Sequence, residues 1–308
     1  MKAFTCDSFP IPLPDWHRFP MVKYARLRRR IEQSGLIEPG DILIPDAATE
    51  DQLRLAHDPE FVRRAIGGGL SADEVRAIGF PWTPALVERS RRSVGATIEA
   101  CRLALHDGIA VNLAGGTHHA HRDHGAGFCL FNDAAVAARV VQAEGKARRV
   151  VIIDCDVHQG DGTASIFADD DSVFTFSIHG AQNYPLKKQA SDLDVELDDG
   201  AQDEAYLEAL ERGLSTALDR AEADLAIYLA GADPFIYDRL GRLRVTKDGL
   251  AARDRLVFAR CRAAGLPVAV TMAGGYAEEV DDTVDIHYQT VVEAQASAEA
   301  EPSVSGRV

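Results

Sequence analysis

Five short apolar runs recur along the chain: Ile109–Leu113, Val150–Ile153, Val173–Ile178, Leu225–Leu229 and Val268–Met272. They are rich in β-branched residues and do not alternate with polar ones, which is the pattern of strands buried on both faces. Between and before them lie stretches with helical spacing, the clearest being Val22–Ser34, Pro84–Leu105, Ala134–Glu144, Asp203–Ala221 and Lys247–Ala264. The first hundred residues read as mostly helical. Strand-like and helical segments alternating at this spacing predict βαβ crossovers. The expected fold class is therefore α/β: a single domain over residues 1–294, with a mostly parallel central sheet and helices on both faces. No Gly/Ser-rich or Pro-rich linker divides the chain, and no internal repeat is visible. Gln295–Val308 is small and polar with no apolar period, and is expected to be a flexible tail. Arg28, Arg29 and Arg30 read as a solvated helix face.

A polar or glycine-rich cluster follows each apolar run. The clusters are Ala114–His119, Asp154–His158, His179, Gly231–Pro234 and Ala273–Tyr276. Ligands in open parallel sheets bind beyond the carboxyl ends of the strands, so five such clusters on one rim point to a site.

The residue types specify its chemistry. If the strand continues past Ile153, Asp156 and His158 lie on the same side and can grip one metal ion. Carboxylates at the end of a buried strand are costly unless paired or metal-bound. Asp233 is the natural third ligand, although a turn or helix-cap aspartate would look the same. Two carboxylates and one imidazole neutralise a dication and leave a position for water, the catalytic arrangement for zinc; Fe(II) suits similar ligands. His118 and His119 read as a base and an acid beside the ion, or else as surface or supporting histidines. Asp154 and Asp161 are the candidate carboxylates to orient their rings. His121 and His124 are expected to be structural. Tyr276 follows two glycines that let the backbone aim a phenol at a developing oxyanion, although packing is the commoner role for such a tyrosine.

Composition narrows the partners. The formal net charge is -15, with 33 Lys+Arg against 48 Asp+Glu, which disfavours direct binding to nucleic acid or an anionic membrane. No secretory signal and no bilayer-spanning apolar run is visible. The five cysteines are scattered and form no Cys-x-x-Cys pair, so neither a disulfide framework nor a cysteine–zinc site is expected, and a cytoplasmic location fits.

From about Arg92 to Tyr276 the chain resembles the histone-deacetylase family, whose domain belongs to the arginase-like α/β fold. Similarity is weaker around Trp16–Tyr24 and His57–Val62. The blocks that carry the resemblance are Gly115–Ala120, Gly127–Asp133, Asp154–Gly162, Gly231–Pro234 and Gly274–Tyr276. The resemblance implies zinc bound by Asp156, His158 and Asp233. It implies His119 as general base and proton donor to the leaving amine, His118 as its electrostatic partner, and Tyr276 polarising the acyl carbonyl. Phe128 and Tyr184 would wall an acyl-lysine channel. A potassium ion would sit on Asp154, Asp156, His158, Ser177 and Ile178, and an outer one near Phe167, Asp170 and Val173. The implied substrate is an acylated lysine of a peptide or protein; an acetylpolyamine or other small acylated amine is the alternative. Gln159, in place of a second histidine, and Tyr184-Pro185 look closer to class IV enzymes and their bacterial relatives. Ala114 and Ala273 stand where glycine is usual. Leu186-Lys187-Lys188 lacks the usual glycine-rich turn, and no residue of Gly79–Thr83 can be assigned to gripping the substrate backbone. A two-manganese ureohydrolase would need further bridging carboxylates, but Gly160 occupies one such position. A non-catalytic acyl-amine binder would be expected to have lost a ligand or the tyrosine.

Overall fold

The structure is a computed structural model that describes residues 1–14 and 16–300. Eight strands form one sheet in which every pairing is parallel. They are β1 (Lys2–Phe4), β2 (Ile42–Leu43), β3 (Ile109–Asn112), β4 (Val150–Asp154), β5 (Val173–Gly180), β6 (Leu193–Leu197), β7 (Leu225–Leu229) and β8 (Val268–Thr271). Their order is β2-β1-β3-β8-β7-β4-β5-β6. The helices are α1 (Val22–Ser34), α2 (Glu50–Arg54), α3 (Pro59–Gly67), α4 (Ala72–Ile78), α5 (Pro84–Asp107), α6 (Asp133–Ala143), α7 (Asp161–Phe167), α8 (Asp203–Ala221), α9 (Lys247–Ala263) and α10 (Val280–Glu299). None is long and apolar enough to cross a membrane.

Strand alternation builds two cores. Val151 and Ile153 of β4, with Ala226 and Tyr228 of β7, face the layer of α1, α8, α9 and α10. Val150 and Ile152, with Leu225, Ile227 and Leu229, face the layer of α2, α3, α5 and α6. The expected α/β domain is thus present. All five apolar runs are strands, and each of the five helical stretches is a helix to within two residues at its ends.

Three differences have physical reasons. Strands β1 and β2 lie within the stretch read as mostly helical; each is too short to carry a period. Strand β6 alternates Leu193, Val195 and Leu197 with Asp194 and Glu196, as suits an edge strand that must not pair further. Helix α10 runs five residues into the expected tail, where Gln295 Nε2 donates to Glu299 Oε1 at 2.6 Å; residues 301–308 lie outside the described part. Nor is the arginine run only solvated: Arg28 pairs with Asp7 at 2.9 Å, and Arg30 with Asp285.

The site depends on where the strands stop. In register, Asn112, Thr271, Leu229, Asp154 and Ser177 form one row across β3, β8, β7, β4 and β5. The loops that follow β3, β8, β7 and β4 therefore emerge level, on one edge of the sheet, whereas β5 runs three residues further, to Gly180. Helix α5 braces that edge through close packing. A Cβ built on its buried Gly95 would lie 1.9 Å from the Asp46 carbonyl oxygen. We expect Gly95→Ala to destabilise the fold by about 1–3 kcal/mol through overpacking. Calorimetry should show a melting point lower by several degrees. An unchanged melting point would mean that the segment around Asp46 is free to move away.

Candidate active site

The row of strand ends opens into a cavity of about 470 Å³. His118, His119, Phe128, Asp156, His158, Tyr184, Asp233 and Tyr276 all line it. Asp154 and Asp161 lie behind the two histidines. His179 does not reach the cavity: it is fully buried inside β5, with Nδ1 2.9 Å from Ser177 Oγ. The strand runs two residues further than its apolar core, so the cluster expected there contributes Asn183 and Tyr184 instead.

Asp156, His158 and Asp233 converge, with one potential ligand atom from each lying within 4.8 Å of the others. They are the only group of three such residues found among the described residues. Main-chain N–H groups hold the carboxylates. Val157 donates to Asp233 Oδ1 at 2.9 Å, His158 to Asp156 Oδ1 at 2.9 Å, and Gly274 to Asp156 Oδ2 at 2.8 Å. His158 Nδ1 lies 2.9 Å from Asp156 Oδ1 and 3.2 Å from Asp233 Oδ2. Asp233 Oδ2 nevertheless accepts no well-directed hydrogen bond, although it is fully buried. Burial and the adjacent Asp156 charge push the Asp233 carboxyl up to about 7. Burial opposes a charge on His158, but its contacts with Asp156 and Asp233 outweigh this and hold the imidazole up at about 10. Two crowded carboxylates, one of them with an orphaned oxygen, fit a dication far better than a proton. A Cβ at Gly274 would lie 2.0 Å from Asp233 Oδ2, so only glycine leaves that oxygen its place.

Each histidine has its own carboxylate. His118 Nδ1 donates to Asp154 Oδ2 at 2.7 Å, and His119 Nδ1 to Asp161 Oδ1 at 2.6 Å. All four are buried, yet the two imidazoles differ. Burial disfavours the charged form of both. For His118 the Asp154 and Asp156 charges win, raising it to about 9. His119 is held down at about 4 by burial and by the neighbouring His118. His121 also reaches Asp161, with Nε2 3.2 Å from Oδ2, and stacks on His124. Tyr276 faces the cavity. Burial and the charges of Asp233 and Asp156 keep its phenol well above the ordinary value, and so protonated.

The supporting residues were mostly invisible in the sequence. Asp133 accepts from Gly116 N, Thr117 N, Thr117 Oγ1 and Thr97 Oγ1 at 2.6–3.1 Å, knotting the loop that carries both histidines. Buried Arg253 on α9 donates to the carbonyls of Cys155, next to Asp156, and Gly231, two residues before Asp233. Asp238 accepts from Tyr276 N at 2.6 Å. An arginine on a helix and an aspartate in a turn are too common to single out. Gln159 is buried, bonding Asp194 Oδ1 and both main-chain groups of Gln189. Ala273 has φ +50, the region glycine favours, whereas Ala114 does not; the first substitution costs about 1–2 kcal/mol.

Of the remaining expectations, Asp154 and Ser177 are register neighbours, and Phe167, Asp170 and Val173 share the turn between α7 and β5. Phe128 sits at φ +67 with its ring 5.9 Å from that of Tyr276, and the half-exposed Tyr184 meets the His119 ring edge-on at 4.8 Å. Lys188 replaces the glycine-rich turn with a clasp. Its Nζ donates to the carbonyls of Ala181, Asn183 and Pro185 at 3.2, 2.7 and 2.7 Å, closing the Tyr184 loop on itself. We expect Lys188→Met to speed amide exchange across residues 181–188 by about tenfold or more, with melting unchanged. Equal protection in both proteins would show the clasp to be dispensable.

A histone deacetylase domain model matches residues 17–291. An uncharacterized protein of Picosynechococcus is 46% identical over 280 residues, covering 91% of this chain and 93% of its own. Histone deacetylase 2 of Arabidopsis thaliana is 31% identical over 270 residues, covering 84% and 70%. The acetoin utilization protein AcuC of Bacillus subtilis is 34% identical over 234 residues, covering 68% and 59%. Among solved structures, a histone deacetylase homolog from Aquifex aeolicus superposes with a TM-score of 0.82 at 22% identity over 96% of this chain and 84% of its own. A homolog complexed with SAHA gives 0.83 at 22% identity over 98% and 85%. The fold, the length of the match and these identities establish that the chain belongs to the histone deacetylase family.

Proposed function

We propose that this chain hydrolyses an N-acyl amide, with an acylated lysine side chain as its substrate class and acetyl as the leading acyl group. The observation that carries this reading is the grouping, in one cavity, of two buried imidazole–carboxylate couples, a three-ligand cluster and a protonated phenol. A divalent ion on Asp156, His158 and Asp233, zinc or iron(II), would supply a Lewis acid and lower the pKa of water toward neutrality.

The chain's own groups do the rest. His119 is neutral at physiological pH and so can take the proton from the attacking water; Asp161, on its Nδ1, stabilises the imidazolium that results. His118, buried on Asp154, adds positive character beside the reacting carbon. Tyr276 donates to the carbonyl oxygen as negative charge develops there. His119 then returns its proton to the departing amine. Phe128 and Tyr184 flank the alkyl chain of the substrate. A potassium ion would be held by Asp154, Asp156, His158, Ser177 and Ile178, several of them through main-chain carbonyls, and the shared register of Asp154 and Ser177 supports this reading. Five free, buried cysteines fit a reducing compartment such as the cytoplasm.

The test is hydrolysis of fluorogenic acyl-lysine peptides by metal-loaded protein. Tyr276→Phe should lower kcat by about 100-fold or more with little change in KM, the loss expected for one oxyanion donor. His119→Ala should abolish measurable turnover. Turnover that survives both changes would refute these roles. Chelation should remove activity, and zinc at about one ion per chain should restore it. Activity that persists without metal would sink the metal-dependent reading.

A further inference from the structure

The charge of the cavity is opposite to that of the chain. Overall, acidic residues outnumber basic ones by 48 to 33. Around the cavity, Arg18, Lys23, Arg76, Arg89 and Arg242 contribute cations, and among the described residues the carboxylates that line it are those of Asp156 and Asp233. Those two are the candidate metal ligands, so a dication would cancel them. Lys23 and Arg89 are buried at the inner end. Arg18, Arg76 and Arg242 are exposed and come from three separate segments.

These three guanidiniums are available to a bound molecule. Arg18 lies over the Phe128 ring at 5.3 Å from its centroid, at the channel wall. Arg76 and Arg242 each pair with one carboxylate, Asp73 and Asp199, through contacts with side chains 76% and 57% exposed on the arginine side. Exposed pairs of that kind are weak and exchange readily. The segment Gly79–Thr83 offers no carboxylate to offset them: Gly79 and Phe80 line the cavity, and Trp82 turns its Nε1 to the Ala65 carbonyl. Among the described residues the mouth therefore presents guanidiniums toward the cavity, one without a carboxylate partner and two in weak exposed pairs, and would disfavour the lysine- and arginine-rich surroundings of a basic tail.

We propose that this site selects acyl-lysines set in acidic sequence, with Asp or Glu within two residues on either side, over the same acyl-lysine among Lys and Arg. The inference rests on the acyl-amide reading above and deepens it. An extended peptide advances about 3.4 Å per residue, so a carboxylate two positions away stays within one Debye length, about 8 Å, of the channel mouth. Complementary charge at an entrance acts on encounter and on rejection of wrong partners.

The test compares three acetyl-lysine coumarin peptides that differ only in flanking residues: Asp, Ser or Lys. We expect kcat/KM for the acidic peptide to exceed that for the basic one by about tenfold at low salt, from two or three exposed pairs. The ratio should shrink toward one in 0.5 M salt, about where the Debye length falls below 5 Å. Arg18→Glu with Arg242→Glu should invert the ratio; a merely structural loss would lower all three peptides alike. A ratio near or below one in the parent protein overturns the proposal. If no peptide is cleaved, the deacylase reading fails, but fluorescence anisotropy of the same peptides still decides the charge preference. Tighter, salt-sensitive binding of the acidic peptide supports it, and equal or reversed binding overturns it.

Discussion

Two carboxylates with the same charge, Asp156 and Asp233, are buried beside each other at the ends of adjacent strands, and the edge of the sheet is organised to tolerate this. Repulsion between them is strong where water is scarce. It is met by three main-chain N–H groups, by the imidazole of His158 and by a place for a cation. The strand row makes the crowding unavoidable, because Asp154 and Leu229 are level and the loops that carry Asp156 and Asp233 leave from that level. The glycines that flank the pair are where they are for lack of room: at Gly231 a Cβ would stand 3.0 Å from an oxygen of each carboxylate.

The two histidines share this economy. Both have a carboxylate on Nδ1, yet one is pushed toward the cation and the other toward the neutral ring, because His118 sees two negative groups and His119 sees the positive His118. Neighbouring groups of one residue type can thus be set in opposite charge states by position alone. Asp133 and Arg253 act from behind, fixing main-chain atoms rather than touching the cavity centre. Losing either would leave buried polar groups unpaired, a cost paid in the shape of the site as well as in stability.

What the sequence disclosed follows from period and chemistry. Val150–Ile153 could be recognised because a strand covered on both faces is apolar throughout, and Asp203–Ala221 because an amphipathic helix has a period. Asp156, His158 and Asp233 stood out as costly groups after such runs. Strand β1 was hidden because three residues carry no period, and β6 because an edge strand mixes charge with apolar residues. Asp133, Asp238 and Arg253 were hidden for a different reason. Their roles lie in which carbonyl or N–H they meet across 16 to 98 positions in the sequence, and nothing in residue type records that. His179 was misplaced because the strand outlasts its apolar residues by two positions.

The loop that carries Tyr184 is tied to itself. Lys188 closes residues 181–185 through their own carbonyls, and the tie to the rest of the domain runs chiefly through Asn183 and Gln189. Such a segment is a cassette: its shape is encoded within its own span. Swapping it for another self-closed span would recast the entrance and the ring that rests on His119 while leaving the strands and the carboxylate cluster in place, which gives the domain a route to new specificities by modular exchange.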